Sequence, residues 1–126
     1  MEASYLELQF EVHNEGPDFI VSVLDEHGVH VRYLGPGNYI HFKGGLYEAS
    51  MVCRHTESCV YLMVYKSLGD NTKWYARPLK MFISEVDRDK FPDIKTQFRF
   101  TSVTDQRYKK DDDGKLVPIR QTTFGA

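Results

Sequence analysis

Apolar and polar residues alternate along the first part of the chain, which is typical of β-strands with one buried side. From Tyr5 to His13 the even-numbered residues are apolar, and the odd-numbered ones from Glu7 onward are polar or charged. A period of two of this kind predicts a half-buried strand. Two further apolar runs, 19–24 and 29–34, follow turns that contain Gly and Asp. We therefore predict a three-stranded antiparallel meander within residues 1–38.

A second set of strands is predicted between residues 39 and 100, the main domain. Strands are expected at 39–42, 46–53, 60–65, 74–76 and 98–103, with a helical turn at 79–82. Pro78 cannot donate a backbone N–H to a central strand, so it is expected to end a strand or begin the helical turn. In the C-terminal extension, 101–126, we predict a charged turn, a short apolar strand at 116–119 and disorder after Arg120. The predicted fold is mostly β.

The middle of the chain is basic, although the whole chain of 126 residues carries a net charge of -2. Between residues 39 and 82, six Lys and Arg stand against three Asp and Glu. The overall charge argues against a protein that coats nucleic acid, whereas the local excess favours an anionic ligand. No apolar stretch approaches the ~20 residues of a membrane span. The first residues lack a secretory pattern and the chain has two cysteines, so we expect a cytoplasmic protein with reduced thiols.

Cationic, polar and aromatic residues occur in three clusters between the predicted strands. An arginine fork can hold a phosphate or a carboxylate, and a Trp or Tyr ring can stack on a base or another flat ring. The interleaving of the two kinds of residue predicts a pocket for a small anionic, ring-bearing molecule such as a nucleotide. The candidate ligand-binding residues are His41, Lys43, Arg54, His55, Glu57, Trp74, Tyr75 and Arg77.

Other chemistry is open at the same clusters. His55 and Glu57 could act as acid and base, although they also suit an exposed connection with a surface ion pair. A nucleophile made of Cys53 and His55 is disfavoured, because an activated cysteine needs an electropositive, accessible setting. His27 and His30 could begin a metal site, but no Cys or carboxylate cluster at ligand spacing completes it. We predict no metal and no cofactor.

Several motifs of the middle region resemble one family. In order they are Tyr39-x-His41-Phe42-Lys43-Gly44-x-Leu46-Tyr47, Arg54-His55-Thr56-Glu57, Val64-Tyr65, Arg77-Pro78-Leu79-x-Met81-Phe82 and Phe98-Arg99-Phe100. Over about residues 38–100 they look like the small bacterial and phage domain called domain-of-unknown-function family 1653. The resemblance implies a compact SH3-like β-barrel and no established activity.

Two positions depart from the pattern of that family. One extra residue separates Trp74 from Arg77, so either Tyr75 takes the place of the Trp or a bulge redirects it. Lys80 stands where the family favours an acidic residue. Both positions lie near the predicted pocket, and both bear on which ligand it would take.

The candidate residues are compatible with three functions. The first is a non-catalytic module that binds a nucleotide-like anion and sequesters it, by analogy with phage inhibitors of nucleotide-signalling defences. The alternative is an adaptor for a peptide or a single-stranded nucleic acid, the latter being disfavoured by the net charge. The third is a hydrolase that uses a His and a Glu. The N-terminal strands could extend the barrel or form the edge of a homo-oligomer.

Overall fold

The computed structural model describes residues 8–70, 72–103 and 108–118. These residues form ten strands and one short helix: β1 (Gln9–Asn14), β2 (Ile20–Leu24), β3 (His30–Leu34), β4 (Gly37–His41), β5 (Leu46–Arg54), β6 (Tyr61–Ser67), β7 (Trp74–Pro78), α1 (Leu79–Phe82), β8 (Phe100–Ser102), β9 (Tyr108–Lys110) and β10 (Leu116–Pro118). The prediction of a mostly β fold is confirmed. Within this part of the chain, no helix has the length and apolar character that crossing a membrane would require.

The strands form three sheets in which every neighbouring pair is antiparallel. The N-terminal sheet has the order β1-β2-β3, and β9 and β10 form a separate hairpin. The main sheet has five strands in the order β7-β6-β5-β4-β8. Across the described residues this sheet stays open, with β7 and β8 at its two edges, so it is not a closed barrel.

The observed strands differ from the predicted ones mainly at the end of β7 and in the presence of β9. β7 continues through Pro78, which pairs with Leu62; as the last residue of an edge strand, Pro78 can lack its N–H without breaking a central ladder. The strand β9 was missed, because its sequence is largely charged and carries no alternating pattern. Asp111 closes the β9–β10 turn by accepting the backbone N–H groups of Asp113 and Lys115 at 3.0 and 2.8 Å. Residues 5–7 and the tail after residue 118 lie outside the described residues.

One hydrophobic core joins the N-terminal sheet to the main sheet. Phe19 just before β2, Val21 and Val23 on β2 and Leu34 on β3 lie inside it with no exposed surface. The main sheet and α1 contribute Tyr39, Ala49, Val52, Met63, Tyr65, Leu79, Phe82, Ile83 and Phe100. Gly16 and Val52 also exchange two backbone hydrogen bonds, of 2.7 and 3.2 Å, across the two sheets. The N-terminal sheet is thus packed on the main sheet.

Arg32 on β3 crosses this boundary with a mostly buried charge. Its Nη1 donates to the carbonyl oxygen of Phe100 at 2.7 Å and its Nη2 to that of Ile83 at 3.1 Å. The guanidinium carbon lies 3.8 Å from the centre of the Phe98 ring. Burial lowers the pKa of Arg32 to about 10, so the side chain is still cationic at neutral pH. It therefore ties the N-terminal sheet to α1 and β8.

The main sheet curls around its concave side. The helical turn α1 buries Leu79 and Phe82 as predicted, and the Phe82 ring stacks on Phe100 of β8 at 4.2 Å. Arg77 comes from β7, at the opposite edge, yet its guanidinium carbon lies 5.8 Å from the Phe100 ring centre. Side chains from both edges of the sheet therefore meet on the concave side.

Candidate functional site

The first part of the candidate site is the turn between β4 and β5. Gly44 and Gly45 have φ angles of 94° and 89°, a region that residues with a Cβ rarely adopt. The turn is closed by His41, whose N–H donates to Gly45 at 3.1 Å and whose carbonyl accepts from Gly44 at 2.8 Å. The N–H of Phe42 donates to the carbonyl of Arg99 at 2.9 Å. This hydrogen bond fixes the turn beside the segment that leads into β8.

The loop between α1 and β8 forms the second part. At its neck the N–H of Val86 donates to the carbonyl of Gln97 at 2.9 Å, which holds the two ends together. Inside the loop the N–H of Phe91 donates to the carbonyl of Asp87 at 2.9 Å and makes a helical turn. The ring of Phe91 then packs edge-on against Phe42, with centroids 5.0 Å apart. The loop is therefore folded back onto the β4–β5 turn.

Arg77 on β7 supplies the third part. It pairs with the buried Met63 of β6. Because paired residues on neighbouring strands point to the same side of a sheet, Arg77 lies on the concave side with Met63. Its Nε donates to the hydroxyl of Tyr65 at 3.2 Å. This bond uses one donor and directs the guanidinium group toward β8.

These three parts enclose a cavity of 360 Å³, which we call the basic cavity. Its lining residues are His41, Phe42, Lys43, Arg77, Asp87, Lys90, Phe91 and Arg99. The volume falls in the range of about 300–1,000 Å³ that is usual for small-molecule sites. Four cationic side chains surround it against a single carboxylate. The Nζ of Lys43 lies 4.7 Å from the centre of the Phe91 ring, so a charge and an aromatic wall occur side by side.

His41 is neutral in this setting. Burial, followed by the positive charges of Arg77, Arg99 and Lys43, lowers the pKa of His41 from 6.5 to about 4. The Nδ1 atom lies 3.1 Å from the backbone N–H of Lys43 and accepts from it. In a neutral ring the other nitrogen then carries the proton. His41 therefore presents Nε2–H as an uncharged hydrogen-bond donor.

Arg54 lies away from the basic cavity. It is the last residue of β5, whereas the β4–β5 turn precedes the first, and nine residues of strand span roughly 25–30 Å. Its Nε and Nη2 donate to one carboxylate oxygen of Glu15 at 3.2 and 2.9 Å, and its guanidinium lies 4.9 Å from the Tyr61 ring. Arg54 links β5 to the turn after β1.

His55 and Glu57 occupy the loop that follows β5. The Nδ1 of His55 accepts the backbone N–H groups of Glu57 and Ser58, both at 3.2 Å. His55 thus closes its own turn, and the side chains of both predicted acid–base residues are exposed. Neither lines the basic cavity.

Trp74 and Tyr75 point to opposite sides of the main sheet. Trp74 pairs with Lys66, and the Lys66 Nζ lies 5.3 Å from the Trp74 ring on the convex side. Tyr75 pairs with the buried Tyr65 and stacks on it at 5.4 Å, on the same side as Arg77. Of the two aromatic candidates, Tyr75 therefore shares the concave side with the cavity, although it does not line it.

The two histidines considered as a metal pair have local partners. The Nε2 of His27 lies 3.4 Å from a carboxylate oxygen of Glu26, and the His30 ring packs 4.0 Å from Tyr33. Across the ranges that the structure describes, no three His, Cys, Asp or Glu residues come together as a metal site would need.

The structure thus brings together three of the eight predicted site residues, His41, Lys43 and Arg77. Sequence reasoning missed Lys90, Phe91 and Arg99, which the α1–β8 loop supplies. Arg99 belongs to the motif Phe98-Arg99-Phe100, whereas no motif includes Lys90 or Phe91. The signal available in the sequence was two cations, Lys90 and Arg99, next to aromatic residues. The position of the loop over the sheet, however, is not encoded in any local pattern.

Two other recesses lack this charge excess. One of 620 Å³ is lined by Leu8, Gln9, Phe10, Glu26 and Lys80, in which one carboxylate offsets one ammonium group. Another, of 340 Å³, lies between the N-terminal sheet and the β9–β10 hairpin and has a mainly apolar wall. Neither includes a predicted site residue.

The fold and the cavity define a small, curled β-domain with a cationic recess on its concave side. The chain belongs to the family described as protein of unknown function (DUF1653), which matches residues 37–102. The resemblance read from the motifs is therefore confirmed. The match runs from β4 to β8 and includes every residue that lines the basic cavity. No curated protein and no solved structure matches the chain.

Proposed function

We propose that this protein is a non-catalytic binding module whose basic cavity holds a small anionic, ring-bearing molecule of the nucleotide kind. The observation that supports this most is the convergence of His41, Lys43 and Arg77 with Lys90 and Arg99 on one recess. These residues come from three separate segments, so the convergence is a product of the fold. A concave site with clustered cations attracts and retains anions.

The contacts suggest how such a ligand would be held. The anionic group would lie between Arg77 and Lys43, with the Nε2–H of His41 as a neutral donor. Charge-assisted hydrogen bonds from a guanidinium or an ammonium group are the stronger kind. The ring would contact Phe91, which already supports the Lys43 ammonium group. Aromatic walls accept flat rings with little dependence on the identity of the base.

Binding is preferred over catalysis for a chemical reason. With a pKa of about 4, His41 is a weak base at neutral pH, far from the value near the working pH that suits general acid–base catalysis. The alternative pair, His55 and Glu57, is exposed, and the His55 Nδ1 is occupied by two backbone donors. Sequestration of the ligand remains the proposed role.

We also infer that the main sheet is an SH3-like roll. The support is the meander β4-β5-β6-β7, the single turn of α1 after β7 and the return of β8 beside β4. The curl that brings Arg77 to Phe100 is the feature that makes the concave side a recess.

The test is native mass spectrometry of the full chain purified from cells. The mass that a retained small molecule adds to the native protein should equal the mass of the molecule released on denaturation. The Arg77→Gln variant should retain no such molecule. Loss of one charge-assisted contact of roughly 1.5–3 kcal/mol weakens affinity by ~10- to 150-fold. Arg54→Gln is the matched control, because it removes an arginine of the same sheet from outside the cavity. Retention by Arg77→Gln and loss by Arg54→Gln would place the ligand elsewhere.

A second candidate is an adaptor that takes an extended peptide along β7. The supporting observation is that β7 is an edge strand with two exposed aromatic side chains, Trp74 at 55% and Tyr75 at 40%. Extended peptides add to such edges through backbone hydrogen bonds. Trp74→Ala would weaken an adaptor and leave the cavity ligand bound. A single-stranded nucleic acid would instead show a steep fall of affinity with salt.

A further inference from the structure

Three cations of the basic cavity are not neutralised by an acidic partner in the described part of the chain. Lys43, Arg77 and Lys90 form no ion pair within the ranges that the structure describes. Asp87 is the one carboxylate in the lining. Some cations outside the cavity do have acidic partners, namely Arg54 with Glu15, Lys66 with Glu48 and Lys73 with Asp70. The cavity therefore keeps a charge excess larger than one.

We propose that the basic cavity selects ligands that end in a phosphomonoester, a doubly charged group, over ligands of the same shape that carry a single charge. This inference rests on the proposed function and names its ligand class. A singly charged head, such as a sulfate ester, a phosphodiester or a carboxylate, would leave most of the charge excess uncompensated.

The donor arrangement also fits a group with several exposed oxygens. The Nε of Arg77 is held by Tyr65 at 3.2 Å, so its terminal nitrogens remain as a planar pair of donors. The neutral Nε2–H of His41 and the Lys43 ammonium group add donors of different directions. A terminal phosphate has three oxygens that accept such bonds, whereas a diester has two.

Size limits the rest of the ligand. The basic cavity measures 360 Å³, near the lower end of the usual range for small-molecule sites. The aromatic wall of Phe42 and Phe91 lies directly beside the Lys43 ammonium group. One ring attached close to the phosphate is therefore the expected form, and a long polyphosphate chain is not.

The experiment compares phenyl phosphate with phenyl sulfate, which have the same ring and the same tetrahedral head but differ by one charge. Slightly above neutral pH the phosphate is a dianion, since its second pKa is about 6. Binding is followed on the full chain by the NMR signals of the His41 ring and the Lys43 amide. We expect phenyl phosphate to bind roughly 10- to 100-fold more tightly, as one further charge-assisted contact would give.

Three variants locate the origin of the preference. Lys43→Gln and Lys90→Gln should each reduce the phosphate-to-sulfate affinity ratio several-fold. Lys66→Gln is the control, because Lys66 lies on the convex side against Trp74 and pairs with Glu48, and it should leave the ratio unchanged. Equal effects of all three would mean that a general field, and not the cavity, sets the preference, and would overturn the inference.

The two proposals fail in different ways. Equal affinity for phenyl phosphate and phenyl sulfate would overturn the phosphomonoester inference and leave the anion-binding function standing. No change in the His41 and Lys43 signals with either compound at millimolar concentration would overturn both.

Discussion

His41 is expected to titrate far below an ordinary histidine, and Arg77 is the neighbour whose removal should show why. Burial is the largest cause of the lowered pKa, and the charges of Arg77, Arg99 and Lys43 follow. Replacing Arg77 by Gln removes the strongest of these charges while burial of the ring remains. The pKa of His41 should therefore rise from about 4 but stay below 6.5.

The magnitude can be bounded from the same values. A fall of the pKa from 6.5 to about 4 corresponds to at most ~3.4 kcal/mol, at ~1.4 kcal/mol per unit. The ring is partly exposed, so solvent screening reduces this to about 1–2 kcal/mol. Between these two pKa values the unfolded chain carries the proton and the folded chain does not. His41 therefore does not lower the free energy of unfolding above pH 6.5. As the pH falls from 6.5 toward about 4, the free energy of unfolding decreases by this amount.

The assay is an NMR titration of the His41 ring carbon-bound protons, combined with urea unfolding at several pH values. His41→Asn should flatten the decline of stability between neutral and acid pH. A bound anion should raise the pKa of His41, because a nearby negative charge favours the imidazolium form. Titration of His41 near 6.5 in the wild-type protein, or no response to Arg77→Gln, would refute the electrostatic account of the cavity.

Three further outcomes are expected. Arg54→Ala removes an exposed ion pair with Glu15, so urea unfolding should show little or no loss of stability; a loss as large as that of Arg32→Met would mark Arg54 as a main contact between the sheets. Arg32→Met leaves two backbone carbonyls without donors and should cost roughly 1.5–3 kcal/mol, and unchanged stability would contradict its role. Gly44→Ala forces a Cβ into φ 94° at a cost of about 1–2 kcal/mol, and the amide signal of Lys43 should shift, whereas an unaltered signal would mean that the turn does not position it.

Local patterns were sufficient for much of the fold. Apolar alternation in the first strand and apolar runs bounded by turns in the others identified the strands of the N-terminal sheet and of β4 to β7, and the Leu79–Phe82 turn was expected. Both depend on short-range rules, namely a period of two in strands and the effect of Pro78 on the residues after it. β9 escaped prediction because its strand conformation comes from pairing with β10, with no apolar alternation in its own sequence.

The residues of the candidate site were likewise predicted where local sequence determines their position and missed where packing does. The β4–β5 turn was found, since it lies between the strands predicted at 39–42 and 46–53 and beside the candidate residues His41 and Lys43. Arg54 and His55 were grouped with it because cationic and aromatic clusters alternate with the predicted strands and were expected to converge, but β5 is long enough to carry Arg54 to the far end of the sheet. Lys90 and Phe91 were left out because they lie in a loop without a motif.

Tertiary structure alone decided which charges share the cavity. The curl of the sheet brings β7 toward β8. The loop after α1, held by its own backbone hydrogen bonds, returns over the β4–β5 turn. Sequence determined how many cations the chain has and which local element holds each. The energy of an anion site depends on distances between charges on different elements, and those distances are set by packing between residues far apart in the chain.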